Sequence, residues 1–128
     1  MVGLVIALSG LKDWGLLALR LANAAVFWRH GTAKVKTAKG GFRLLGLAET
    51  LGSLAMLSGV LTELAALGLA LVMVGAIYMK VAKWKTPFTA QNTTGWELDL
   101  TLLAINIALL TLGPGKFSLV AMLAGGAV

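Results

Sequence analysis

Cysteine is absent from this 128-residue chain, and histidine occurs once, at His30. Without cysteine the chain cannot form disulfides, thiolate nucleophiles or cysteine-ligated iron–sulfur clusters. A single histidine also excludes a bis-histidine haem within one copy. The sequence shows no nucleophile–base arrangement, no metal-ligand cluster and no phosphate-binding loop. We therefore expect no covalently bound cofactor, no metal and no catalysis by the chain acting alone.

Charge is scarce as well, because Asp, Glu, Lys and Arg make up only 12% of the residues, against about a quarter in soluble domains. Hydrophobic residues make up 59%, and the mean hydropathy is +0.90. One soluble core of this size could not cover so much apolar surface, whereas lipid could. These values predict one integral membrane domain over residues 1–128. The pI near 10.1 would suit nucleic acid, but the basic residues lie between apolar runs, so we expect no nucleic-acid partner.

The apolar runs predict four transmembrane helices in an all-α, up-down four-helix bundle. The predicted spans cover about residues 14–31, 42–61, 63–79 and 95–113. At about 1.5 Å per residue, the first span is roughly 27 Å long, just enough to cross the hydrocarbon. Gly113-Pro114-Gly115 is a strong helix stop. The short apolar segments 1–10 and 117–128 are expected to lie on the membrane surface.

The basic residues predict the orientation of these spans. Eight of the eleven lie in or beside the first and third connections: Arg29, Lys34, Lys36, Lys39, Arg43, Lys80, Lys83 and Lys85. The positive-inside rule places these two connections in the cytoplasm and both termini outside. We expect a prokaryotic cytoplasmic membrane. The lysines are interpreted as topology determinants, with binding to anionic lipid headgroups as a second possibility.

Small residues predict where helices approach one another closely. Ala48 and Gly52, and likewise Ala55 and Gly59, have the small-xxx-small spacing of tight helix contacts. Gly68 and Gly75 are seven residues apart in the third span. This pattern predicts a close hairpin of the second and third helices.

An ordered set of motifs resembles the DoxX family of small four-helix membrane proteins. The set is LRLANAAVFWRHG, GF, AETLGSLAMLSGVLTELAAL, GWELDLTLLA and GPGKFSL, between about Leu16 and Leu119. Its distinctive parts are the arginine in the first span, HG at the end of that span, E-x-x-G-x-x-x-x-x-x-G in the second, GWE opening the fourth and GPG-[KR]-[FY]-S-L after it. The family commonly has an aspartate after the final SL, where this chain has Val120.

The resemblance implies a membrane protein found with oxidoreductase systems, since relatives include a subunit of a thiosulfate:quinone oxidoreductase. The expected function is a small accessory subunit of a respiratory or other membrane oxidoreductase complex, structural and adjacent to quinone. One alternative is a catalytic membrane subunit that binds quinone itself. Another is a stand-alone small-molecule transporter or assembly chaperone. The expected partners are the lipid bilayer and other membrane subunits.

Arg20 is the most demanding residue of the first span, because an ionised side chain there costs roughly 2.5–3.5 kcal/mol on insertion scales. It shares a helical face with Asn23, Phe27 and His30, and that face must point into the protein. Glu49, near the middle of the second span, is the predicted partner. Two interpretations stay open: an ion pair that fixes helix register, or a polar pocket for a quinone or a small anion.

The remaining polar residues of the spans suggest a ligand pocket and an interface. We hypothesise that His30, Glu49 and Glu97 form a cytoplasm-facing ligand pocket, with Arg20 deeper. The alternative is a histidine solvated at the headgroup level. Asp99 and Asn106 lie on nearly the opposite face from Glu97. They are candidate interface residues for a partner subunit or a second copy, through an interhelical hydrogen bond of Asn106.

Overall fold

The computed structural model describes residues 1–123, and the fold over these residues is all-helical, as predicted. The helices are α1 (Val2–Ser9), α2 (Lys12–Thr37), α3 (Gly41–Ser58), α4 (Thr62–Tyr78), α5 (Trp96–Leu112) and α6 (Leu119–Leu123). A single π-helical turn, Met79–Lys83, extends α4. No strand occurs within the described residues.

Helix α2 is longer than the predicted first span, and this changes its register against α3. It runs for 26 residues, about 39 Å, because the stretch after Gly31 contains no glycine or proline and several good helix formers. Ala38 takes an extended conformation and ends the helix. Gly40 has a φ of +63° and turns the chain into α3. The other three spans were predicted within three residues of their ends.

The four long helices pack around one core. Helix α2 packs mainly on α3, and α4 mainly on α5, while the contacts of α3 with α4 and of α2 with α5 are smaller. The central side chains are Leu16, Ala24, Phe27, Met56, Ala66, Leu69, Met73, Leu102 and Leu109. The molecule therefore consists of two tight helical hairpins joined by a looser contact between them.

The outer surface is strongly apolar. Leu44 is 68% exposed, and Leu51 and Leu71 are 65% and 64% exposed. Soluble proteins rarely expose such contiguous apolar surface. By length and composition, Thr62–Lys83 qualifies as a membrane-crossing helix, and Val2–Ser9 with Lys12–Thr37, bent by 54°, counts as a second if the pair forms one span.

The closest helix approach is between α2 and α3, which corrects the expectation of a close hairpin of the second and third spans. A Cβ added at Gly31 would lie 2.5 Å from Thr50 Oγ1 and 2.8 Å from the Gly46 carbonyl oxygen. A Cβ added at Gly68 or Gly75 would meet nothing within 4 Å. The spacing of these glycines is right for contact, but the larger Leu69 faces α3 at Gly52 and keeps α4 away.

The two terminal apolar segments are both helical where the structure describes them. Helix α1 contains no buried residue, and α6 buries only Ala121. Val120, in α6, is 38% exposed. Their position on a membrane surface stays a prediction, and residues 124–128 lie outside the described part of the chain.

Candidate functional site

The Arg20 side chain donates hydrogen bonds to backbone carbonyl groups and does not pair with Glu49, which corrects the predicted ion pair. Its side chain is 1% exposed. Nε donates to the Met56 carbonyl at 2.9 Å and Nη2 to that of Leu57 at 3.0 Å. Nη1 donates to the carbonyls of Phe117 at 2.7 Å and Pro114 at 3.4 Å. We call these five residues the arginine socket.

The register of α2 explains why the ion pair does not form. Because α2 continues to Thr37 and α3 begins at Gly41, Arg20 lies opposite the last turn of α3 and not opposite its middle. Glu49 is eight residues away from Leu57, about 12 Å along the helix axis. The last turn of a helix has carbonyl groups without helical partners and carries the negative end of the helix dipole. A guanidinium with five N–H donors suits that position without a carboxylate.

The loop after α5 completes the socket and is held from two directions. The Asp13 carboxylate accepts a hydrogen bond from the Lys116 backbone N–H at 3.0 Å. The Trp14 and Phe117 rings lie 4.4 Å apart. At Gly59, which has a φ of +79°, a Cβ would collide with Ser118 and lie 2.8 Å from the Arg20 Nη2. The first and last motifs of the DoxX resemblance thus form one packed structure.

A cavity of about 680 Å³ lies toward the opposite end of the bundle. Its apolar lining comes from the four long helices, the π-helical turn and the residue after that turn: Phe27, Phe42, Leu45, Leu71, Val72, Met73, Gly75, Ala76, Met79, Trp84 and Leu102. Its polar lining is His30, Lys34, Glu49, Lys80, Thr93, Thr94 and Asp99. An apolar cavity with a few converging polar groups is the usual form of a small-molecule site.

Two ion pairs contribute the charged groups of the cavity wall. Lys34 Nζ lies 2.6 Å from Glu49 Oε1, which joins α2 to α3. Lys80 Nζ, on the π-helical turn, lies 2.7 Å from Asp99 Oδ2 on α5. Each lysine is matched by a largely buried carboxylate, so the paired groups add no net charge to the cavity.

Glu49 has an unused oxygen. Its side chain is fully buried, and Oε2 has no hydrogen-bond partner among residues 1–123. A buried carboxylate oxygen without a donor costs free energy.

The structure brings together some of the predicted pocket residues and separates others. His30 and Glu49 both line the cavity, whereas Arg20 is in the socket and Glu97 is on the outer side of α5. The Glu97 Oε2 accepts a hydrogen bond from Thr89 Oγ1 at 2.9 Å. Glu97 therefore anchors the loop before α5. Ligand binding by His30 and Glu49 stays a prediction.

The candidate interface residues are both used within the chain, which corrects that expectation. Asn106 is fully buried. Its amide exchanges hydrogen bonds with Asn23, at 2.9 Å and 3.2 Å, and also donates to the Leu102 carbonyl at 2.8 Å. Asp99 is 6% exposed and faces Lys80 in the cavity wall. The two asparagines join the first long helix to the fourth, so neither amide is available to a partner.

Sequence reasoning missed Lys34 and Lys80 because it treated both as loop residues that set topology. A signal for Lys34 was present, since it follows His30 by four residues and extends the face of Phe27 and His30. Lys80 gave no comparable signal, because its position depends on the π-helical turn. Such turns are frequent at functional sites.

The DoxX family model matches residues 42–84. This segment contains α3, α4 and the π-helical turn, and with them Glu49, Lys80 and the Met56 and Leu57 carbonyls of the socket. The match supports membership of the DoxX family and confirms the resemblance noted in the sequence. Comparison with curated proteins and with solved structures gives no match.

Proposed function

We propose that this DoxX-family chain is a four-span membrane protein that binds a small, uncharged, lipophilic molecule of the quinone class as a subunit of a membrane oxidoreductase complex. The observation that carries the proposal is the cavity of about 680 Å³, whose wall is largely apolar and whose two lysines are paired with carboxylates. An apolar wall favours a lipophilic molecule. Paired charges favour a neutral headgroup over an ion.

The membrane assignment is supported by the exposed leucines on the outer faces of the bundle and by the 22-residue apolar helix Thr62–Lys83. Helix α5 has 17 residues, about 25 Å, so its span is short and fits a bilayer with local thinning. The basic residues gather at the end of the bundle where the cavity lies. With that end in the cytoplasm, the arginine socket and both termini are on the outer side.

Entry of the molecule from the bilayer is supported by the position of the mouth. Phe42 on α3 is 52% exposed and Leu71 on α4 is 64% exposed, and both line the cavity. Gly75, also on α4, is exposed beside them. The mouth therefore opens between α3 and α4, where the two hairpins have their looser contact. A lipophilic molecule can enter there without crossing water.

The role as a subunit is supported by the oxidoreductase context of the family resemblance and by the composition of the chain. With no cysteine and one histidine, the chain offers few ligands for a metal redox centre. In such a complex, the group that exchanges electrons with the bound molecule would belong to another subunit.

A glycine pair on α4 provides the test. Gly75 lines the cavity and Gly68 does not, yet an added Cβ meets nothing within 4 Å at either position. Gly75→Phe should fill the mouth, whereas Gly68→Phe adds the same ring two turns away. Wild type and both variants are extracted from the native membrane in mild detergent. Mass spectrometry then identifies the proteins and the quinones that accompany each.

The proposal expects quinone with wild type and with Gly68→Phe, and a loss of at least tenfold with Gly75→Phe. Oxidoreductase subunits should accompany all three. Equal quinone in both variants would overturn the cavity as the binding site. Wild-type protein free of quinone and of redox partners would overturn the proposed function and leave a transporter or assembly chaperone.

A further inference from the structure

We propose that the cavity end of the bundle binds anionic phospholipids through exposed basic side chains. The residues are Arg29, Lys36, Lys39, Arg43, Lys83 and Lys85, and we call them the basic surface. Their partner is the phosphate group of lipids that carry a net negative charge. This binding needs no ligand in the cavity, so it can hold or fail independently of the proposed function.

Ion pairing leaves the basic surface without acidic partners in the chain. At the same end, Lys34 pairs with Glu49 at 2.6 Å. Lys80 pairs with Asp99 at 2.7 Å. Among residues 1–123, no member of the basic surface forms an ion pair, and the one further acid of this end, Glu97, is exposed. The exposed charge at the cavity end is therefore strongly positive.

The opposite end of the bundle has balanced charges. Its charged side chains are those of Lys12, Lys116, Asp13 and Glu63, together with Arg20 inside the socket. The 18 residues of α3 separate the two ends by about 27 Å, which exceeds three Debye lengths of about 8 Å at physiological ionic strength. An anionic surface is therefore attracted to the cavity end and not to the socket end.

Aromatic side chains place the basic surface at the depth of the lipid headgroups. Trp28, Phe42 and Trp84 are each about half exposed. Each is a direct neighbour of a basic residue in the chain: Trp28 of Arg29, Phe42 of Arg43, and Trp84 of Lys83 and Lys85. Exposed tryptophans of membrane proteins lie at the headgroup level, and long basic side chains direct their charged ends to the same level. The cations therefore lie where the lipid phosphates are.

Net charge distinguishes between the phospholipids that could occupy this surface. A zwitterionic phospholipid has its own ammonium group beside the phosphate, which largely cancels the attraction to a cationic surface. Phosphatidylglycerol has no such group, and clusters of Lys and Arg beside membrane helices attract lipids of this kind. We expect the lipids at the cavity end to favour anionic over zwitterionic headgroups by at least about threefold.

The experiment uses the full chain in phospholipid vesicles and measures lipid binding beside one tryptophan at a time. Trp14→Phe, Trp28→Phe and Trp96→Phe together leave Trp84, at the cavity end, as the only tryptophan. A second protein keeps only Trp14, which is exposed at the socket end. Lipid brominated just below the headgroup quenches a nearby tryptophan. Quenching in mixtures of brominated phosphatidylglycerol and unlabelled phosphatidylcholine, and in mixtures with the label exchanged, gives the relative binding constant of the two lipids.

A pair of double variants assigns the preference to the basic surface. In the protein that keeps only Trp84, Lys83→Gln with Lys85→Gln removes the two charges beside the reporter, and the excess preference should fall by at least about half. Lys12→Gln with Lys116→Gln removes two charges at the socket end and should leave it unchanged. In about 1 M salt, where the Debye length is about 3 Å, the preference should also weaken.

A second measurement covers the case in which a protein with one tryptophan does not fold. Native mass spectrometry of the wild-type protein, released from vesicles with equal amounts of the two lipids, counts the lipids that remain bound. The same two double variants, made in the wild-type chain, are compared with it. Phosphatidylglycerol should predominate on wild type and on Lys12→Gln with Lys116→Gln, and should decrease on Lys83→Gln with Lys85→Gln.

The outcomes decide between a lipid surface and its alternatives. A preference at Trp84 with a binding ratio near one at Trp14 supports the proposal. An equal preference at both tryptophans overturns it, since the overall charge of the chain would then explain the effect. A ratio near one at Trp84 also overturns it and leaves an acidic segment of a partner protein as the complement of this end.

Discussion

The two polar regions of the molecule solve the same physical problem in opposite ways. Arg20 is a buried cation without a counterion among residues 1–123, and its guanidinium is satisfied by four backbone carbonyl groups. Glu49 is a buried anion with a counterion, and within the same described residues one of its oxygens has no hydrogen-bond partner. The socket is closed around its charge, whereas the Glu49 ion pair lies in the wall of a cavity.

The same contrast separates the two sides of α3. Toward α2 it packs so closely that Gly31 and Gly46 have no room for a side chain. Toward α4 it leaves the mouth of the cavity between Phe42 and Gly75. Tight packing on one face holds the Glu49 wall in position, while loose packing on the other face gives access to it.

The largest expected effect comes from removing the guanidinium of the socket. Arg20→Met leaves four carbonyl groups without their donor, and we expect the free energy of unfolding to fall by at least about 3 kcal/mol, because hydrogen bonds to a charged group contribute about 1.5–3 kcal/mol each. Arg20→Lys should be intermediate, since an ammonium lacks the planar fork. Arg29→Met, on an exposed position of the same helix, is the control. The free energy of unfolding is measured in detergent for all three variants. An unchanged value for Arg20→Met would show that the socket does not stabilise the fold.

The next effect should come from the α2–α3 contact. In Gly31→Ala the new methyl group would lie 2.5 Å from Thr50 Oγ1 and 2.8 Å from a backbone oxygen, so the helices must move apart, at a cost of about 1–3 kcal/mol. Gly68→Ala adds a methyl group into open space and should stabilise α4 by up to about 1 kcal/mol. Thermal unfolding followed by circular dichroism compares the two. A similar change in Tm for both variants would contradict the difference in packing between the two faces of α3.

The asparagine pair between the two polar regions should give a smaller and non-additive effect. Asn23→Leu or Asn106→Leu alone leaves a buried amide unsatisfied, at a cost of about 1–3 kcal/mol. The double variant removes both amides and should cost less than the sum of the two, by about 0.5–3 kcal/mol. The measurement is a double-mutant cycle of unfolding free energies. Additive losses would show that the two amides do not interact.

The smallest effect is expected in the loop before α5. Thr89→Val removes the hydrogen bond to Glu97 that anchors the loop before α5. Since both side chains are exposed, the unfolding free energy should fall by no more than about 1 kcal/mol. Proteolysis of the loop is the more sensitive measurement and should become faster. A large loss of stability would mean that this loop is as essential to the fold as the socket.

Hydrophobic periodicity and the glycine–proline stop predicted the helices and most of their ends, because these signals are local. The partners of Arg20 and Asn106 could not be predicted in this way. The wrong partner for Arg20 followed from ending α2 at Gly31 instead of Thr37, since an error of six residues moves a side chain by about 9 Å. The sequence also gives no signal for a backbone carbonyl partner, since every residue has a carbonyl group.

The candidate site was only partly visible for a similar reason. His30 and Glu49 are conspicuous as polar residues in apolar runs, and both line the cavity. Lys34 and Lys80 lie among many other basic residues, and only the three-dimensional arrangement distinguishes the two that pair with carboxylates. Composition indicates how much charge a membrane chain carries, but not which charges meet.

The long sequence separation within the arginine socket has a consequence for synthesis of the chain. Two of the Arg20 partners, Pro114 and Phe117, follow it by 94 and 97 residues. While a ribosome is still making α5, Arg20 has only the Met56 and Leu57 carbonyl groups of its four acceptors. Synthesis of the loop after α5 supplies the two remaining acceptors. A chain that stops before this loop therefore keeps a buried guanidinium with only part of its hydrogen bonds.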